Sequence, residues 1–107
     1  MQLVTSEWLS ERGGLHDARV LGARWNGPNI EVAVDDEWAN ERGLSFGQGQ
    51  AAGTLVLEDP LTTTVDLSSV VGGWISEVSI LGSAVQLAFC DRDPLSFRVK
   101  AASWRSG

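Results

Sequence analysis

The chain has 107 residues, 43% hydrophobic and 21% charged, the composition of one globular domain spanning residues 1–107 and not of a disordered tail. No stretch approaches the roughly 20 apolar residues of a membrane-spanning helix, Met1 leads into no signal-peptide pattern, and the single cysteine forms no internal disulfide, so the expected compartment is the reducing cytoplasm. The net charge of −6, from 14 acidic and 8 basic side chains, disfavours nucleic acid and anionic membrane surfaces and suits a basic protein partner.

The N-terminus reads as one short helix. Thr5 is the expected N-cap, Glu7 lies in the first turn where the helix dipole favours it, and Val4 and Leu9 have the spacing of a hydrophobic staple. Gly13-Gly14 stops the helix, and Trp8 and Leu9 anchor it on the rest of the fold. A helix this short depends on docking for its stability.

From Leu15 onward the pattern is that of strands. Ile30, Val32 and Val34 alternate with Glu31, Ala33 and Asp35, a strand with one wet face. Its expected partner is residues 18–25, joined through the turn formers Asn26-Gly27-Pro28-Asn29. Residues 54–58 and 62–67 predict two further strands, the second with Thr63, Val65 and Leu67 on one face. Residues 74–81 and 84–90 predict a hairpin closed by Gly82-Ser83 in a turn of the primed type. A last strand is expected over residues 95–104, with Leu95, Phe97, Val99 and Ala101 on one face. The fold class is α+β, mainly β: an antiparallel meander sheet, or a partly closed barrel or sandwich, of six to eight strands with a short N-terminal helix.

Residues 35–53 are the least regular part. Residues 37–42 fit one or two helical turns capped by Asp35 or Asp36 and ended by Gly43, and residues 46–53, with three glycines and two glutamines, read as a mobile loop. Charge concentrates in this region: residues 31–66 carry eight acids against Arg42 alone, a local charge of −7. Trp38 sits inside that acidic segment, whereas most of the five tryptophans are expected in the core. The candidate binding residues are therefore Asp35, Asp36, Glu37, Trp38 and Glu41: charge to steer a basic partner and an aromatic to hold it.

Motifs for catalysis are incomplete. Gly43-Leu44-Ser45-Phe46-Gly47 matches the G-x-S-x-G elbow, but His16 is the only histidine and lies upstream of it. The glycines between residues 47 and 53 lack the βαβ setting of a dinucleotide site. His16-Asp17 has no further histidines to complete a metal centre, and on a strand the two side chains would point to opposite faces. Asp35-Asp36-Glu37 and Asp91-Arg92-Asp93 do not follow the calcium-loop spacing, and Cys90 has neither a CxxC companion nor a base in pattern. No catalytic residue, metal or cofactor is expected.

The stretch Trp8-Leu9 … Leu15-His16-Asp17-Ala18-Arg19-Val20 resembles the start of small bacterial proteins with a short helix, a His-Asp-Ala-x-Val segment and a β meander, some of them grouped with the immunity proteins of polymorphic toxin systems. Leu15 replaces the aromatic common before the histidine, and Arg19 stands where an acidic residue is common. The resemblance implies that His16 and Asp17 fix the fold and that the function is non-enzymatic protein binding, in its narrower form inhibition of a toxin. The alternatives are an accessory or structural domain with an unrelated partner, and a small-ligand or metal-binding protein using His16 and nearby carboxylates.

Overall fold

The computed structural model describes residues 2–11, 13–35, 52–61 and 66–106. The expected mainly β architecture is present: among these residues eight strands form two open antiparallel sheets beside one short helix. After β1 (Gln2–Leu3), Thr5 caps α1 (Ser6–Glu11), its hydroxyl accepting the Trp8 N–H at 3.1 Å. Val4 and Leu9 are both buried, as a staple requires. Gly13 and Gly14, with φ of 63° and 67°, end the helix in the left-handed conformation that glycine adopts without strain.

The first sheet has the order β1-β8-β4-β3-β2. Strands β2 (Arg19–Asn26) and β3 (Asn29–Asp35) form the predicted hairpin, its two-residue turn set by Gly27 at φ 62° ahead of Pro28. Strand β4 (Ala52–Glu58) follows, and β8 (Ala101–Ser106) inserts between β4 and β1. The second sheet is β5 (Ile75–Leu81), β6 (Ala84–Phe89) and β7 (Leu95–Arg98), with the β5–β6 hairpin turning at Gly82-Ser83 as expected. Ile30, Val32, Val34, Leu55, Leu57 and Trp104 from the first sheet share one core cluster with Ile75, Val78, Val85 and Leu87 from the second. Each such aliphatic side chain, fully buried, contributes about 1.5–3 kcal/mol.

Three expectations are corrected. Leu67 does not end a strand. It opens a 3₁₀ turn (Leu67–Val70) because Asp66 caps it, accepting the Ser68 N–H at 3.1 Å; Thr63 and Val65 lie outside the described residues. Residues 95–104 are not one strand but two, in different sheets. Between them the Val99 N–H reaches Ser83 O and the Lys100 N–H reaches Glu58 O, both at 2.9 Å, so the chain passes from one sheet to the other. The inward phase shifts there, and Ala102 and Trp104 are buried where Ala101 was expected. Of the four described tryptophans only Trp8 and Trp104 are core, with ring centroids 5.4 Å apart; Trp25 and Trp74 are exposed at sheet margins.

Candidate functional site

Of the candidate binding residues, Asp35 ends β3, half-buried, opposite Arg19 of β2. Asp36, Glu37, Trp38 and Glu41 lie outside the described residues. What the structure brings beside Asp35 and Arg19 is a different tryptophan. Residues 17–20 pair with residues 72–75: the Val20 N–H donates to Gly73 O at 3.0 Å, the Gly72 N–H to Val20 O at 2.8 Å, and Arg19 stands opposite Trp74 in an isolated bridge. Val20 points into the core, so Arg19 points outward, on the same side as its bridge partner Trp74.

The Arg19 guanidinium lies 5.8 Å from the centroid of the Trp74 ring, a cation–π contact. Trp74 is 36% exposed, and two other apolar residues of the paired segments, Leu21 and Val71, are exposed as well. The far side of the patch is fixed by Asp91-Arg92. Arg92 donates to Ser69 O at 3.1 Å and Val71 O at 3.0 Å, and pairs with Asp91 at 3.1 Å. Asp91 in turn accepts the Trp74 N–H at 3.3 Å. The Arg92 hydrogen bonds, aided by that N–H and opposed by partial desolvation, hold the Asp91 carboxyl below its ordinary range. Two turn residues of the sequence thus act as the brace of an exposed aromatic surface.

A second polar cluster lies on the outer face of the first sheet. Glu31 of β3 is only 5% exposed, although strand alternation gave it the wet face. Asn26 donates to it at 3.0 Å, Arg24 at 3.2 Å, and Arg105 to both carboxylate oxygens at 3.3 and 3.4 Å. The hydrogen bonds from Asn26 and Arg105, with a smaller one from Arg24, outweigh the burial that opposes them and lower the Glu31 pKa to about 2. A shallow cavity of about 400 Å³, floored by Gly22, Ala33 and Thr54, opens beside it. A carboxylate so saturated with donors has no proton to give at neutral pH; it ties β2, β3 and β8 together.

His16 and Asp17 sit in a turn before β2, not on a strand, with Asp17 at φ 68°. Their side chains therefore converge, Nε2 to Oδ2 at 3.4 Å, which corrects the expectation of opposite faces. His16 Nδ1 is 3.0 Å from the Ser76 carbonyl, which can only accept, and the Asp17 N–H donates to Ile75 O at 2.9 Å. Both contacts hold the turn against β5. Cys90 is exposed at the end of β6, and among the described residues no group of three or more His, Cys, Asp or Glu side chains is arranged to hold a metal.

The chain matches no family model, no curated protein and no solved structure.

Sequence reasoning missed both Trp74 and Glu31 as sites. A signal existed for Glu31, because the two-residue turn at Gly27-Pro28 fixes Arg24 opposite it. None existed for Trp74, whose exposure depends on a pairing between segments far apart in the chain.

Proposed function

We propose that this chain is a non-enzymatic protein-binding domain with a basic partner and, in the narrower form carried by the resemblance of residues 15–20, an immunity-type inhibitor of a bacterial toxin. The observation that carries the reading is the Trp74 surface: an exposed aromatic in line with Arg19 and with Asp35 at the root of the acidic segment, on paired segments that also expose Leu21 and Val71. Tryptophan and arginine dominate interface hot spots, because a large rigid ring is desolvated at little entropic cost. The −7 carried by residues 31–66 supplies the complementary steering, since rim charge acts chiefly on association.

The test is capture of a partner from the source organism, followed by binding kinetics at low and high salt. Neutralising Asp35, Asp36 and Glu37 together is expected to slow association, and raising the salt to do the same. Trp74→Ala and Trp38→Ala are each expected mainly to speed dissociation. Kinetics indifferent to salt, to the triple neutralisation and to Trp74→Ala refute the reading.

A further inference from the structure

The outer face of the first sheet holds a small basin whose charge is opposite to that of the chain. Val32 and Val34 face the core, so Ala33 between them faces out, as does Glu31. Gly22, Ala33, Thr54 and Arg105 stand opposite one another in a single row across β2, β3, β4 and β8. Arg24 and Glu31, in the neighbouring row, wall the cavity of about 400 Å³ that lies over this floor. Its charged groups are two arginines and one carboxylate that its donors keep ionised, a local charge of +1. In the next row Arg19 stands opposite Asp35, and Glu58 lies beyond Val56, the partner of Glu31, away from the cavity. Both guanidinium groups hold donors in reserve. Arg24 gives one N–H to Glu31 and Arg105 gives two, fewer than a guanidinium carries, and neither has another acceptor among the described residues. Gly22 keeps the floor low without being required there: its φ is not left-handed, and a Cβ built on it meets nothing within 4 Å.

We infer that this cavity binds a small organic monocarboxylate, its carboxylate held between Arg24 and Arg105 and its apolar body resting on Gly22, Ala33 and Thr54. The planar guanidinium fork matches a carboxylate, and charge-assisted hydrogen bonds of this kind are among the strong ones. Glu31 draws both arginines to the cavity and cancels one of their two charges, so what remains matches a single negative charge. A phosphate or sulfate dianion would exceed that balance, and a cation would meet two guanidinium groups. A volume of about 400 Å³ lies toward the small end of ligand pockets, which suits a ring or a short chain. The site uses none of the Trp74 surface, so its test and the binding-kinetics test fail independently.

The probe is benzoate, with benzamide as its uncharged counterpart, titrated into the isotope-labelled full chain and followed by amide chemical shifts. Saturable shifts centred on Gly22, Ala33 and Thr54 are expected, with a dissociation constant of about 1 mM or tighter, and none with benzamide. Arg24→Gln is expected to weaken benzoate binding at least about tenfold. That side chain is 72% exposed, and Asn26 and Arg105 stay on Glu31 without it, so the fold is retained. Gly22→Val fills the floor, leaves both arginines in place and is expected to abolish the shifts. No saturable binding, equal shifts with benzamide, or benzoate affinity unchanged in either variant overturns the inference. Phosphate or chloride producing the same shifts at equal concentration also overturns it, in favour of an unselective basic surface.

Discussion

Gly53 lies in the interior of β4, where its lack of a side chain has one physical consequence that can be isolated. It faces inward beside Leu55, which pairs with Trp104, and a Cβ built on Gly53 would clash with Cζ2, Cε2 and Cη2 of the Trp104 indole. That ring is itself held by Trp8, so it has little room to retreat. Conformational preference alone favours Gly53→Ala, since alanine loses less backbone entropy on folding, by about 0.5–1 kcal/mol. Overpacking acts in the opposite direction and costs about 1–3 kcal/mol. The steric effect wins on these magnitudes. The net cost is the difference, at most about 2.5 kcal/mol; for a chain of this size the melting temperature falls by roughly 4 °C per kcal/mol, so Gly53→Ala is expected to lower it by up to about 10 °C. The decisive measurement is the cycle with Trp104→Phe, which keeps an aromatic and removes the outer ring. In that background Gly53→Ala should become neutral or stabilising, by urea unfolding followed with far-UV circular dichroism. An equal cost in both backgrounds, or a gain in the wild-type background, refutes the packing argument.

Glu31 predicts an acid limb. Its pKa is lowered from 4.5 to about 2 in the folded state, so its contribution is complete above pH 4.5 and is lost as pH falls toward 2. Urea midpoints measured across that window should fall more steeply for wild type than for Glu31→Gln, and parallel curves would count against the network. His16 is half-exposed and makes one contact to β5. His16→Ala should therefore lower the melting temperature only modestly, and adding or chelating divalent cations should leave the wild-type value in place; a large metal-dependent rise would revive the ligand reading.

Local rules carried most of the fold. The Thr5 cap, the Gly27-Pro28 and Gly82-Ser83 turns and the alternation in β3 and β6 each depend on a few adjacent residues, so they could be read from the chain. The passage at Val99-Lys100 could not. Alternation from Leu95 to Ala101 is unbroken in sequence, and only the competing partners Ser83 and Glu58 reveal that the strand divides. The 3₁₀ turn after Asp66 lost in the reading to the β propensity of Thr63 and Val65, because a single capping aspartate is a weaker pattern than alternating apolar residues. The candidate surface divides in the same way: the charge of residues 31–66 is a property of the sequence, whereas the exposure of Trp74 is set by long-range pairing with Arg19.

The insertion of β8 between β1 and β4 sets an order of events during synthesis. Strands β2, β3 and β4 are consecutive in sequence and can pair as soon as they leave the ribosome, but the edge of β4 that receives β8 stays open until residues 101–106 have followed. Until then α1 lacks the Trp104 ring against which Trp8 packs, and β1 has no neighbour at all in its sheet. From the emergence of β4 until that of residues 101–106, a nascent chain therefore presents an apolar sheet with an unpaired margin, the condition in which chaperones hold a chain and aggregation competes with folding. Closure waits for the six residues of β8, which pair with β4 on one side and with β1 on the other.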